Sequence, residues 1–181
     1  MRLFVALNLP AKVRNALHAA TAPLRDAAPG ARWTPPEKLH LTLEFLGERT
    51  DDGVAPLTTA LDAIAARHRA IILELRGVGS FPSLRRPRVV WIGVAASAPL
   101  AQLQRDVGDA CESLGIPRDR RPFHAHVTLA RMTPRTPRAE TEALARVAPS
   151  IEVNVLATAR TLDLVQSVSG RYVALHEAAF S

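Results

Sequence analysis

Apolar residues along the chain follow two periodicities, which together predict a mixture of strands and helices. Strands are predicted where apolar and polar residues alternate, or where a short apolar run ends at glycine or proline. Helices are predicted where apolar residues recur every three or four positions. The predicted strands cover residues 2–9, 39–46, 70–78, 89–95, 123–131, 151–157, 160–168 and 171–177. The predicted helices cover residues 11–28, 54–69, 98–114 and 138–147.

The order of these elements predicts a fold of the α+β class. Strands and helices alternate along most of the chain, and three strands then follow one another near the end, the last two joined at Ser169 and Gly170. No linker or low-complexity segment interrupts the series. The chain of 181 residues has 48% hydrophobic and 22% charged residues, which is ordinary for a folded protein. We therefore expect residues 1–181 to form one domain that needs no disulfide, and the single cysteine excludes an internal one.

A tetrad of residue types occurs twice. His40-Leu41-Thr42-Leu43 recurs as His126-Val127-Thr128-Leu129, 86 positions later, and both copies fall in predicted strands. A random arrangement of this composition would contain about 0.05 such His-x-Thr-Leu tetrads, so two copies are not expected by chance. The spacing is close to half the chain length. It therefore predicts two similar lobes that each contribute one tetrad.

Strand geometry places the polar residues of each tetrad together. Residues two apart point to the same face, so His40 lies beside Thr42 and His126 beside Thr128, while the aliphatic residues face the core. Two imidazoles that meet across a cleft are suited to paired acid and base catalysis near neutral pH. Two threonine hydroxyls beside them can donate to phosphate oxygens. This chemistry requires no metal or other cofactor.

Two other interpretations of the histidines remain open at this point. Each tetrad could be an ordinary strand segment, with its histidine hydrogen-bonded and its threonine selected for β-propensity. Alternatively, His124 and His126 could form a His-x-His metal pair with His40 as a third ligand. No carboxylate is adjacent to either tetrad in the sequence, apart from Glu44, which lies two positions beyond Thr42.

The charge distribution suggests an anionic partner. The net charge is +6, and all basic residues except Lys12 and Lys38 are arginine. Guanidinium groups match phosphate oxygens, so a nucleic-acid partner is one reading, and a non-catalytic RNA-binding module is an alternative function. The other reading is that arginine reflects the base composition of the genome. Two arginine clusters lie in predicted loops: Arg85, Arg86 and Arg88, and Arg118, Arg120 and Arg121.

With its surroundings, the repeated tetrad resembles a known family. The segments RLFVAL at residues 2–7, LHLTLEFLG at 39–47 and FHAHVTLAR at 123–131 are similar to the RNA 2′,3′-cyclic phosphodiesterases, formerly called 2′-5′ RNA ligases, of the two-histidine (2H) phosphoesterase superfamily. The resemblance implies a bilobal, pseudo-twofold α+β fold. In it, two antiparallel-rich sheets line a central groove and the helices lie outside. It also implies metal-independent hydrolysis of an RNA-terminal 2′,3′-cyclic phosphate to a 2′-phosphate.

Roles for individual residues follow from the same resemblance. His40 would be the general acid and His126 the general base, although a site with near two-fold symmetry permits the reverse. Thr42 and Thr128 would bind phosphate oxygens, and Arg131 would bind phosphate or another part of the substrate. The same residues would also serve 2′-5′ RNA ligation or cleavage, or hydrolysis of another cyclic phosphate such as ADP-ribose 1″,2″-cyclic phosphate.

Four residues near the tetrads lie at positions where strand parity or the neighbouring sequence bears on their role. In a regular strand Arg131 would point away from the face of His126, so its proposed role requires a bulge or the end of the strand. His124 shares the strand parity of His126. Between them lies Ala125, at the position immediately before the second histidine where the family commonly has proline. It could border the groove or simply be exposed. Trp33 could stack on a base at the edge of the groove, whereas Phe45 is expected in the core.

The remaining expectations concern where the protein acts. The N-terminal apolar run ends at Asn8 and Pro10, too early for a signal peptide, and no segment is long enough to span a membrane. With one cysteine, the chain fits a reducing compartment. We therefore expect a cytoplasmic monomer whose partner is RNA with a 2′,3′-cyclic phosphate end.

Overall fold

Nine strands and five helices make up the fold in the computed structural model, which describes residues 1–181. The strands are β1 (Arg2–Asn8), β2 (Arg32–Trp33), β3 (His40–Glu48), β4 (Ile71–Ser83), β5 (Arg86–Val94), β6 (His126–Arg131), β7 (Asn154–Ala159), β8 (Thr161–Val168) and β9 (Arg171–Ala179). The helices are α1 (Ala11–Ala20), α2 (Ala22–Ala27), α3 (Val54–Ala65), α4 (Ala98–Ser113) and α5 (Arg138–Val147). Short 3₁₀ turns cover Pro36–Lys38, Asp51–Gly53 and Ala148–Ser150. The α+β class is confirmed.

The strands form one sheet in the order β7-β4-β5-β6-β3-β1-β8-β9, with β2 pairing to β6. All pairs are antiparallel. The two central strands, β3 and β6, are joined by one register pair, Leu41 with Val127. The two sheets that the resemblance implies are thus joined at this pair into one continuous sheet.

The sheet is nearly symmetrical about its central pair. Each half has four main strands, and each contains one of the tetrads on its innermost strand. The halves are not simply the first and second halves of the chain, because the C-terminal hairpin β8-β9 pairs with β1, while β7 pairs with β4. The chain therefore crosses between the halves more than once, and one connected cluster of 39 buried apolar residues includes side chains from both.

Several predicted boundaries differ from the structure for identifiable reasons. The helix predicted over 11–28 divides at Thr21, whose hydroxyl donates to the Leu17 carbonyl at 2.8 Å, with Pro23 following in the next turn. The loop predicted over 79–87 is mostly strand, because β4 and β5 form a long hairpin that reaches Ser83 and Arg86. The strand predicted over 123–131 is shorter in the structure, where β6 begins at His126.

Burial separates the tetrad residues as strand geometry predicts. Leu41, Leu43, Val127 and Leu129 are buried in the core, whereas the histidines and threonines are only partly buried on the other face. Cys111, the single cysteine, is also buried. None of the helices combines the length and apolar character that crossing a membrane requires.

Candidate active site

The two tetrads meet at the centre of the sheet. Leu41 and Val127 are register partners in antiparallel strands, so one step along each strand places His40 opposite Thr128 and Thr42 opposite His126. All four polar side chains lie on the face opposite the buried leucines. Their arrangement therefore comes from a single strand pairing.

Both imidazoles are oriented by the same backbone contact. His40 Nδ1 lies 2.7 Å from the carbonyl oxygen of Lys38, and His126 Nδ1 lies 2.7 Å from that of His124. A carbonyl oxygen only accepts, so in each ring Nδ1 carries the proton and donates it. Each Nε2 is left for other chemistry. In His40, Nε2 lies 3.0 Å from the Thr42 hydroxyl, which donates to it when the ring is neutral.

Burial lowers the pKa of both histidines. For His40 the loss of solvent outweighs the carbonyl contact that favours the charged ring, and the charge of His126 lowers its pKa further. For His126 burial is again the largest cause, and the charges of His124 and Arg131 add to it. The two rings are therefore electrostatically coupled, and their titration belongs to the pair.

A bulge in each central strand changes which residues share the tetrad face. In β6 the register shifts between Ala130 and Thr128, so Leu129 is the extra residue. Arg131, two positions after Leu129, is exposed and close enough to lower the pKa of His126. Strand β6 therefore contains the bulge that Arg131 needs in order to share the face of His126.

The corresponding bulge in β3 overturns the expectation for Phe45. Here the register shifts between Glu44 and Thr42, so that Leu43 is the extra residue. Leu43 and Glu44 are both buried as a result, and Phe45 is 60% exposed rather than in the core. Phe45 is thus the counterpart of Arg131 in the other half of the sheet.

Aromatic rings flank both histidines. The Phe4 ring stacks on His40 with centroids 5.0 Å apart, and Tyr172 contacts His40 edge-on at 5.3 Å. On the other side, Phe81 meets His126 edge-on at 5.0 Å. Sequence reasoning missed Tyr172, because it comes from β9, which is 132 positions from His40 in the chain and reaches the site only through the pairing of β8 with β1.

His124 and Trp33, for which the sequence left a position at the edge of the groove open, have different surroundings. The exposed His124 ring lies 5.0 Å from Trp91 and 6.4 Å from His126, so it does border the site. The Trp33 side chain is partly buried against the core, and its indole N–H donates to the Ala28 carbonyl at 2.8 Å. Its contacts are therefore structural, and it is not among the rings around the histidines.

The basic loop before the second tetrad is largely neutralised. Arg118 forms an ion pair with Asp109 at 2.8 Å, and Arg121 forms one with Asp119 at 2.6 Å. The guanidinium of Arg121 and its backbone N–H together lower the pKa of Asp119 to about 2. Two of the three arginines in this cluster are thus already partnered, whereas the charge of Arg131 acts on His126.

The geometry does not favour the metal-site interpretation. Nowhere does the structure gather three or more histidine, cysteine, aspartate or glutamate side chains in a metal-binding arrangement. His40, His124 and His126 in particular do not form such a group. Paired imidazoles that are both fixed through Nδ1, threonine hydroxyls and one arginine instead suit acid–base chemistry on a phosphate.

Comparison with known proteins agrees with this chemistry. The model of the LigT-like phosphoesterase family matches residues 7–91 and again residues 92–163, so each match contains one tetrad. The chain belongs to this family. The crystal structure of another protein, TT0787 of Thermus thermophilus, has a TM-score of 0.81 and 29% identity, over 99% of this chain and 98% of that one.

Two curated relatives of this LigT-like chain carry the name RNA 2′,3′-cyclic phosphodiesterase. The protein from Geobacillus stearothermophilus is 39% identical over 128 residues, which cover 71% of this chain. The chain spans only 41% of the length of that relative. The protein from Archaeoglobus fulgidus is 36% identical over 137 residues, which cover 76% of each chain.

Proposed function

We propose that residues 1–181 act as one catalytic unit that hydrolyses a 2′,3′-cyclic phosphate at an RNA end and produces a 2′-phosphate. The observation that carries this proposal is the pair of imidazoles on one face of the sheet, each held through Nδ1 by a backbone carbonyl so that Nε2 is the atom available for proton transfer. The names of the curated relatives support the choice of substrate.

In this mechanism His126 is the general base and His40 the general acid. Neutral His126 accepts a proton from water at Nε2, and the water oxygen attacks phosphorus in line with the 3′ oxygen. The bond between phosphorus and the 3′ oxygen breaks as protonated His40 donates its Nε2 proton to that oxygen. The products are a 2′-phosphate monoester and a 3′ hydroxyl, and each proton transfer contributes about 10²–10⁴-fold.

The remaining polar groups of the site bind the phosphate. The hydroxyls of Thr42 and Thr128 donate to the two non-bridging oxygens and hold phosphorus between the imidazoles. Arg131 adds a charged contact that strengthens as negative charge develops in the transition state. His124 borders the substrate on the side of His126.

The experiment for this function uses the wild-type protein and an oligoribonucleotide that ends in 2′,3′-cyclic phosphate, with EDTA present. Alkaline phosphatase removes a terminal phosphate monoester but not the cyclic diester. The RNA is freed of EDTA before the phosphatase is added, because alkaline phosphatase is itself a metalloenzyme. We expect the end to become sensitive to phosphatase after incubation with the protein. An end that stays resistant, despite measurable binding of the RNA, would identify a binding module instead of an enzyme.

Removing the guanidinium group of Arg131 should lower the rate of hydrolysis, because this group contacts the phosphate in the proposed mechanism. We expect Arg131→Ala to lower kcat/KM for a cyclic nucleotide by about 10- to 100-fold, because it removes one charge-assisted contact. Arg131→Lys should recover part of this loss, since it restores the charge without the planar fork. Steady-state kinetics check both variants, with the exposed Arg69→Ala as the control. Equal kcat/KM for Arg131→Ala and wild type would remove Arg131 from the site.

The pH dependence should follow the lowered pKa values of the histidines. The active form has one ring neutral and one protonated, so its population peaks between the two macroscopic pKa values of the pair. Burial lowers both values below the ordinary histidine pKa of about 6.5. We therefore expect kcat/KM to peak below pH 6.5 and to fall about tenfold per unit on the alkaline side. A profile that remains flat up to pH 8 would contradict this assignment.

A further inference from the structure

A cavity of about 320 Å³ opens beside His40, on the side of the site away from His126. Phe4 and Tyr172 form aromatic parts of its wall, and Asn8 and Asp163 form polar parts. Its size is in the range of small-molecule sites, and its mixture of rings with a few polar groups is typical of them. Nothing in the proposed proton transfers uses this cavity beyond His40 itself.

Asp163 is the unusual group in the wall. Its side chain is completely buried, and its Oδ2 accepts a hydrogen bond from the Asn8 side-chain amide. Its other oxygen, Oδ1, is buried without any hydrogen-bond partner. Burial raises the pKa of this carboxyl group, while the nearby Thr161 hydroxyl opposes that change. Most buried polar atoms are hydrogen-bonded, so this acceptor calls for an explanation, such as a ligand that donates to it.

The chemistry of the proposed reaction places the nucleoside on this side. His40 donates its proton to the leaving 3′ oxygen, and the attacking water lies opposite, beside His126. The ribose that carries the 3′ oxygen therefore lies on the side of His40. Its base is then directed towards the cavity, because the cavity borders the same imidazole.

We propose that this cavity binds the base of the terminal nucleotide. The Asp163 side chain then turns towards the cavity, so that Oδ1, which is buried in this structure, accepts a hydrogen bond from an exocyclic amino group and selects bases that carry one. Tyr172, which is 43% exposed and makes an edge contact with His40, supplies the aromatic surface against which the base packs. This inference rests on the proposed function, because it uses the position of the leaving oxygen.

The other charges around the cavity leave room for a neutral base. Lys38 and Arg14 line the cavity together with Glu37 and Glu177, so apart from Asp163 its cations and anions are balanced. Lys38 is already engaged, because its amino group donates to the Gly170 carbonyl and lies 5.8 Å from the centre of the Tyr172 ring. The cavity therefore favours an uncharged ring with N–H donors over a second phosphate.

The test compares substrates that differ by one amino group. Wild-type kcat/KM is measured for the 2′,3′-cyclic phosphates of guanosine and inosine, and of adenosine and purine riboside. We expect at least one amino-bearing member to be preferred by about 10- to 100-fold, the value of a hydrogen bond to a charged group. The variant Asp163→Asn should reduce that ratio to about threefold or less, whereas the exposed Asp26→Asn should leave it unchanged.

Two further measurements separate the possible failures. The variant Tyr172→Leu tests the location even if Asp163→Asn does not fold. It should raise KM for the preferred nucleotide more than for a ribose 2′,3′-cyclic phosphate without a base. Calorimetry with the corresponding nucleoside 2′-phosphates measures the same preference without turnover. Absence of turnover with every substrate would overturn the proposed function. Equal binding and equal kcat/KM within both substrate pairs would overturn the base pocket alone.

Discussion

Alanine at residue 40 or 126 should lower kcat for hydrolysis of a 2′,3′-cyclic nucleotide by about 10²–10⁴-fold. Each substitution removes one of the two proton transfers, while the threonines and Arg131 still hold the phosphate. KM should therefore change much less than kcat. Steady-state kinetics on purified variants, with circular dichroism to confirm folding, measure the effect directly.

The matched control for these variants is His18→Ala. His18 is a partly buried histidine on α1, and burial lowers its pKa as it does for the two site histidines. It lies outside both tetrads, so its variant should retain normal kcat. Combining His40→Ala with His126→Ala should cost less than the product of the single effects, because the two groups act in one step. Near-normal kcat in either single variant would refute the two-histidine mechanism.

The substitution Gly79→Ala should destabilise the protein by about 3 kcal/mol, which corresponds to a Tm lower by roughly 6 to 12 °C. Gly79 is the register partner of Trp91, whose ring covers it. A Cβ atom at residue 79 would stand 2.2, 2.5 and 2.6 Å from three carbons of that ring. The indole of Trp91 would have to move, and its contacts with Phe81 and His124 would be lost.

Thermal and denaturant unfolding measure this change, and Gly53→Ala is its control. A Cβ atom at Gly53 meets nothing within 4 Å, and the backbone there has an ordinary φ of −75°. Gly53 precedes helix α3, so its variant should change the free energy of unfolding by no more than about 1 kcal/mol. Equal stability of the two glycine variants would show that the indole at residue 91 moves at little cost.

The tetrads could be found from the sequence because their signal is local. Residues two positions apart on a strand share one face of the sheet. This rule correctly placed His40 beside Thr42 and His126 beside Thr128. The likeness of the two copies also anticipated the near symmetry of the sheet. The junction itself, one pair between Leu41 and Val127, depends on contacts across 86 positions and has no local signal.

The rest of the site depends on departures from regular geometry and on distant strands. The bulges at Leu43 and Leu129 reverse the strand parity, which is why Phe45 was wrongly expected in the core and why Arg131 needed an exception. Tyr172 and Asp163 reach the surroundings of His40 because the C-terminal hairpin pairs with β1. Periodicity within a strand cannot show which strand lies next to it.

The central claim is that His40 and His126 together break the bond between phosphorus and the 3′ oxygen without a metal ion. Its most direct test is the identity of the product when a nucleoside 2′,3′-cyclic phosphate is hydrolysed in the presence of EDTA, read by phosphorus NMR against authentic 2′- and 3′-phosphates. We predict that the wild-type protein forms the 2′-phosphate alone, and that the signal disappears in both histidine variants. A 3′-phosphate product, or turnover that EDTA abolishes, would contradict the mechanism.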